Sequence, residues 1–203
     1  MKLLLTSGGL TTEKLQETLR NLLTKPPKEN KALIIELNWG DEDYPKILEA
    51  TKQQLIHTGI TSRNLTSYDL SSDNPPPHIN NYDVLMIFGG NHFQYMKRIR
   101  ELGLVQNIRD FIKEEGVYIG VSGGSVMMAP DLDDGLSQTK NDIGLEDVTG
   151  FGYVDFYVVS HWDWRADKKE MLTYSWVSGK HMIPLTDQQG VLVLDNDFHI
   201  ICS

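Results

Sequence analysis

Gly120-Val121-Ser122-Gly123-Gly124 is a G-x-S-x-G stretch that directly follows an apolar run, Val117-Tyr118-Ile119. A serine set between glycines, where a strand hands over to a helix, has the layout of a nucleophile elbow. Gly120 and Gly124 carry no Cβ, so the chain can turn sharply and neighbouring elements can approach closely. The serine hydroxyl is then raised at the end of a strand. The N–H groups after it point to where an oxyanion would form in acyl transfer. The same five residues also fit a plain structural turn, which many folds reuse.

A serine hydroxyl is a poor nucleophile near neutral pH without a base. The chain has 6 histidines. His161 closes the strand-like run Phe156-Tyr157-Val158-Val159-Ser160, with Trp162 and Trp164 beside it to exclude water. A structural or surface histidine is the competing reading of that position. His92 follows the turn Gly89-Gly90-Asn91 and ranks second, because it also reads as the start of a helix. A third group must hold the imidazole in the right tautomer and stabilise its cation. Asp187, in a turn between two late strands, and Asp142, in the loop after the elbow, both qualify, and spacing does not choose between them. Gly89-Gly90-Asn91 reads either as a simple turn or as the source of a second oxyanion donor, Gly90 N–H, complementing Gly123 N–H.

The elements that must hold these residues alternate along the chain. Strand-like runs cover Leu3 to Thr6, Ala32 to Leu37, Asn64 to Leu70, Val84 to Phe88 and the run into Ser122. Helical spacing covers Thr12 to Leu23, capped by Thr11 or Thr12, then Tyr44 to His57. Further helices run through Phe93, Met96 and Ile99, and through Ile108, Phe111 and Ile112. The segment Ser71 to Pro77 reads as a surface loop, and Asp131 to Gly144 as a polar loop. Tyr153 to Ser160 reads as a strand and Lys168 to Trp176 as a helix. Met182 to Leu185, Gly190 to Leu194 and His199 to Cys202 read as short strands at a terminal β-rich edge. This alternation predicts an α/β fold: a mostly parallel, doubly wound sheet with helices on both faces. Functional groups in such sheets gather at the carboxyl ends of the strands, where Gly89-Gly90-Asn91 and Ser122 both fall.

Composition narrows the partners. The 203 residues, 40% hydrophobic and 23% charged, suit one globular domain spanning 1–203. A formal net charge of -9 disfavours nucleic acid and anionic membranes as partners. A single cysteine, Cys202, can form neither an internal disulfide nor a cysteine-based zinc site, and fits a reducing cytoplasm. Met1 to Gly9 has an apolar run too short for a signal peptide, broken at Gly8-Gly9, and reads as a first strand. No stretch approaches the roughly 20 apolar residues needed to span a bilayer.

Taken together, the motifs resemble the peptidase E family, the aspartyl dipeptidases, with cyanophycinase as a more distant relative. The turn Gly89-Gly90-Asn91-His92-Phe93 is similar to the family's G-G-N-T-F. Gly120-Val121-Ser122-Gly123-Gly124 is similar to its G-x-S-A-G, Lys140-Asn141-Asp142 to its T-N-D, and Leu185-Thr186-Asp187 to its late L-x-[DE] turn. A strand-terminal histidine is matched by His161. The order and approximate spacing agree from Leu3 to Leu194.

The resemblance implies a class I glutamine amidotransferase-like fold, a flavodoxin-like α/β/α sandwich, carrying a serine peptidase for short peptides. It implies Ser122 as nucleophile, His161 as general base then acid, and Asp187 as the acid of a catalytic triad. It places the oxyanion hole at Gly90 and Gly123, and Asp142 and Asn91 at the substrate. Neither a metal nor an organic cofactor is implied. Three departures stand out. Gly123 replaces alanine, His92 replaces threonine, and Trp162-Asp163-Trp164-Arg165 does not reproduce the dipeptidase pattern. Arg165, Lys168 or Lys169 is the candidate for binding an acidic substrate residue, with a solvated, charged helix start as the competing reading. A non-catalytic binding protein on the same fold and an esterase or amidase with the same triad are the alternatives. A homodimer is the base-rate expectation for a soluble enzyme.

Overall fold

The computed structural model describes residues 1–38, 42–133 and 139–202. Its strands are β1 (Lys2–Thr6), β2 (Ala32–Glu36), β3 (Leu65–Asp69), β4 (Val84–Ile87), β5 (Val117–Val121), β6 (Phe156–Val159), β7 (His181–Pro184), β8 (Gly190–Leu194) and β9 (Asp197–Ile201). Its helices are α1 (Glu13–Leu22), α2 (Tyr44–His57), α3 (His92–Glu101), α4 (Leu104–Lys113), α5 (Gly123–Val126) and α6 (Lys168–Ser178).

The main sheet runs β3-β2-β4-β5-β1-β8-β9. Its first five strands are parallel, and β8 and β9 close one side antiparallel. The parallel strands are nearly continuous apolar runs because both of their faces are covered. Side chains alternate between the faces. Leu4, Ile34, Met86 and Ile119 pack with Leu15 and Leu19 of α1 and Leu55 of α2. Leu3, Leu5, Leu33, Ile35, Leu85 and Ile87 share the opposite core with Phe93, Met96 and Ile99 of α3 and Ile108 and Phe111 of α4. The result is the three-layer, mostly parallel α/β fold that the alternation predicts.

Two expectations change. The run expected as a strand over Tyr153 to Ser160 is regular only over β6, and β6 stays outside the main sheet. Likewise β7 does not join β8 and β9 at the terminal edge. Instead β6 and β7 form their own parallel pair, from Phe156 opposite His181 to Val159 opposite Pro184, with α6 as the crossover between them. Of the two threonines offered as caps, Thr12 caps α1 through its side chain, while the Thr11 hydroxyl donates to the Asp187 carbonyl at 2.5 Å. Part of the expected polar loop, 134–138, lies outside the described residues. Among the described residues no helix is long and apolar enough to cross a membrane.

Candidate active site

Ser122 follows β5 at the carboxyl end of the parallel sheet, and its N–H donates to the Thr6 carbonyl on the neighbouring β1 at 2.9 Å. The backbone at Ser122 is left-handed, with φ 49° and ψ −111°, a conformation costly for a residue with a Cβ. The surrounding glycines make the bend possible. A Cβ on Gly120 would sit 2.7 Å from Ser125 N, and one on Gly124 would overlap the Ile87 carbonyl oxygen. The chain therefore reverses tightly into α5 and leaves the Ser122 hydroxyl at the tip of the bend.

His161 and Asp187 come from the second sheet. The register of β6 and β7 continues past the strands, as Leu185 N–H donates to the Val159 carbonyl at 2.9 Å and Trp162 N–H to the Leu185 carbonyl at 3.0 Å. Two chain segments leaving the same end of a parallel pair are thereby held side by side, one carrying His161 and the other Asp187. His161 is also left-handed, with φ 59° and ψ 36°, which turns its ring back toward the main sheet.

The three side chains form one hydrogen-bonded chain. Ser122 Oγ lies 3.0 Å from His161 Nε2, and His161 Nδ1 lies 2.6 Å from Asp187 Oδ1. With Nδ1–H donating to the carboxylate, Nε2 is left to accept from the serine hydroxyl. The Asp187 carboxylate takes further bonds from Ser7 Oγ at 2.7 Å and from Trp164 Nε1 at 3.2 Å. Partial burial pushes the Asp187 carboxyl up, but the hydrogen bond from Ser7, the His161 charge and the remaining donors outweigh it. The net effect holds the group below its ordinary value. A carboxylate on one imidazole nitrogen and a hydroxyl on the other is the geometry that base activation of a serine requires.

The peptidase family S51 model matches residues 3–201 of this sequence. The chain belongs to peptidase family S51. Peptidase E of Salmonella gallinarum (strain 287/91 / NCTC 13346) is 28% identical over 159 residues, 77% of this chain and 64% of that protein. Peptidase E of Shigella flexneri is 27% identical over the same share of this chain and 66% of its own length. The chain thus spans slightly less than two thirds of these curated relatives. Among solved structures, a protein of Listeria monocytogenes EGD-e described as a candidate peptidase E superposes with a TM-score of 0.79 at 18% identity, covering 100% of this chain and 98% of that one. A peptidase from an acI-B1 Actinobacterium gives 0.69 at 13% identity, covering 100% and 87%. At these identities the two structures support the shared fold.

Around this S51-type site the other expected residues separate. Gly123 follows Ser122 directly, Gly90 lies against Gly123, and neither N–H donates to a protein acceptor among the described residues. Their backbones are in close contact, since a Cβ on Gly123 would overlap the Gly90 carbonyl oxygen. Asn91 and Asp142 do come together. Asn91 Nδ2 donates to Asp142 Oδ1 at 3.1 Å and to the Lys140 carbonyl at 3.2 Å, while Asn91 Oδ1 accepts from Phe93 N–H and Gln94 N–H to cap α3. An amide has two donor hydrogens and two acceptor lone pairs. All four are used inside the protein, so Asn91 ties the loop of Asp142 to the Gly90 turn rather than offering its amide to a substrate.

Two candidates are corrected, Arg165 and His92. Arg165 does not present its guanidinium to an acidic substrate: its side chain is 5% exposed and grips Asp167 with Nε at 2.9 Å and Nη2 at 2.6 Å. Lys168 stands over the Trp162 ring, 5.7 Å from its centroid. His92 is no base. It is buried, its Nε2 faces the Leu132 carbonyl at 3.0 Å, and burial lowers its pKa to about 4 against that bond. It is a neutral packing residue whose Nε2 carries the proton.

Ser7 and the direct bond from Trp164 are the site features that sequence reasoning missed. Ser7 directly follows β1, at the same carboxyl end of the parallel strands as Ser122. The strand-end rule that singled out Ser122 applies to it equally.

Proposed function

We propose that this protein is a serine peptidase acting on short peptides through an acyl-enzyme at Ser122. His161 Nε2 takes the Ser122 proton as Oγ attacks the scissile carbonyl. The developing oxyanion is met by the N–H groups of Gly90 and Gly123. Preorganised donors of this kind are worth roughly 3–4 kcal/mol each. Asp187 keeps Nδ1 protonated and stabilises the imidazolium. His161 then gives its proton to the leaving amine, and a water activated by the same ring hydrolyses the ester. The observation that carries this reading is the chain Ser122–His161–Asp187, with contacts of 3.0 and 2.6 Å. Family membership and the peptidase E relatives favour a peptide as the acyl donor.

A fluorophosphonate probe tests the mechanism, and a dipeptide library compared with simple esters tests the substrate. The expected result is labelling that vanishes in Ser122→Ala and falls strongly in His161→Ala, with dipeptide turnover. Absence of labelling in intact protein would overturn the catalytic reading in favour of a binding protein. Turnover of esters alone would replace the peptidase with an esterase.

A further inference from the structure

We infer that Ser7 is a positioning residue for this reaction: its hydroxyl bridges the His161 backbone to the Asp187 carboxylate and keeps ring and carboxylate aligned. The inference rests on the reading of Ser122, His161 and Asp187 as the reacting chain. Ser7 Oγ lies 2.8 Å from His161 N and 2.7 Å from Asp187 Oδ1. A hydroxyl has one hydrogen to give. The His161 N–H can only donate, so the Ser7 hydrogen goes to Asp187, and the orientation of the hydroxyl is determined.

Each bond has a consequence for the site. The first ties down the N–H of a residue held at φ 59°, where the backbone at His161 departs from the strand that precedes it. The second occupies the same carboxylate oxygen that His161 Nδ1 uses. Together with Trp164 Nε1 on Oδ2, it gives both carboxylate oxygens a donor besides solvent. Ser7 is fully buried, so these bonds do not exchange readily with solvent.

The backbone around Ser7 reinforces the same contact. A Cβ on Gly8 would fall 2.8 Å from the Asp187 carbonyl oxygen, so the chain after β1 runs directly against the Asp187 turn. Ser7 N–H donates to Gln189 O at 3.4 Å, on the far side of that turn. Ser7-Gly8, which sequence alone reads only as the end of a strand, thus lies against the Asp187 turn, Ser7 on its carboxylate and Gly8 on its backbone. Ser125 offers a contrast. Its hydroxyl is also buried beside β1, but it donates to the Thr6 carbonyl at 2.8 Å and, among the described residues, bonds to neither His161 nor Asp187.

The test combines steady-state kinetics with a readout that needs no turnover. Ser7→Ala is expected to lower kcat about ten- to hundredfold, the scale of a lost hydrogen bond to a charged group, with KM within about twofold. In an Asp187→Ala background the same change should cost clearly less, because only the bond from His161 N–H is then left for it to remove. In ¹⁵N-histidine-labelled protein, the downfield proton of the His161 Nδ1–H···Asp187 bond should shift or broaden away in Ser7→Ala. Ser7→Cys, close in volume but a weaker donor, should give an intermediate loss, and it carries the test if alanine unfolds the chain. Unchanged kcat with an unchanged proton resonance, or a loss fully additive with Asp187→Ala, would overturn the inference. If the resonance responds to Ser7→Ala in a protein that no fluorophosphonate labels, Ser7 keeps its positioning role and the peptidase reading is what fails.

Discussion

Ser122 and His161 meet at 3.0 Å from two different sheets, and both stand in left-handed backbone, at φ 49° and φ 59°. Among the described residues only Glu115 and Asp195 share that feature without being glycine. Strain concentrated on two residues in contact is what a preorganised site looks like when the fold, rather than local preference, sets side-chain direction. The carboxyl end of the parallel sheet supplies the hydroxyl, and the ends of β6 and β7 supply the imidazole and carboxylate.

The strain at Ser122 is measurable. Ser122→Ala removes the hydroxyl but keeps a Cβ in the unfavourable region. Ser122→Gly removes both. Left-handed strain is worth about 1–3 kcal/mol, against about 0.4–1 kcal/mol for the extra freedom glycine gives the unfolded chain. Ser122→Gly is therefore expected to be more stable than Ser122→Ala by about 1 kcal/mol, seen as a midpoint roughly 2–4 °C higher in a thermal melt. Equal midpoints would mean that the bend is held without strain.

Gly123 stands where the resemblance expects alanine, and the structure gives the reason. A Cβ there would overlap the Gly90 carbonyl oxygen, which is backbone and cannot rotate aside. Gly123→Ala would push the Gly90 turn away from Ser122, separating the two proposed oxyanion donors. The expected outcome is a loss of stability of about 1–3 kcal/mol, as for overpacking elsewhere. A fall in kcat should accompany it, with fluorophosphonate labelling slowed in parallel. A variant with full activity would place the oxyanion donors elsewhere.

Much of this was legible in the sequence because it is local. The parallel strands announce themselves as buried apolar runs, and the rule that groups collect at strand ends picks out Ser122 and His161. The choice between Asp187 and Asp142 was not legible. It depends on β7 leaving the main sheet to pair with β6, a long-range pairing that the short run His181–Pro184 does not encode. Arg165 was misjudged for a different reason. Its charge suggested a ligand, but its partner Asp167 is two residues away, and only side-chain direction reveals the fork. Ser7 was missed because a serine after a strand is unremarkable until Asp187 is seen against it.

His92 makes stability depend on pH. Its folded-state pKa is lowered to about 4, below the unfolded value near 6.5, because burial penalises the cation. The unfolded chain therefore binds the proton first as pH falls. The contribution of neutral His92 is complete above the unfolded value and is lost as pH falls toward the folded one. Over that window the loss is up to about 3 kcal/mol. His92→Gln, which can still donate to the Leu132 carbonyl, should flatten the curve between pH 6.5 and 4 in denaturant melts. An unchanged slope would show that another group controls the acid limb.

The fork between Arg165 and Asp167 separates a packing role from a substrate role. If Arg165 bound an acidic substrate side chain, Arg165→Ala would lower kcat/KM for aspartyl dipeptides far more than for neutral ones. The geometry predicts otherwise. The Arg165 side chain is buried and its fork is already closed on Asp167 at 2.6 and 2.9 Å. Removing it costs packing and a bidentate pair, about 1–3 kcal/mol of stability. Asp167, at 35% exposure, is then left to water rather than stranded. The ratio of kcat/KM for aspartyl over alanyl dipeptides should therefore stay within about twofold of the wild type, since a lost charge-assisted contact would move it tenfold or more. A collapse of that ratio at unchanged thermal stability would return Arg165 to the substrate.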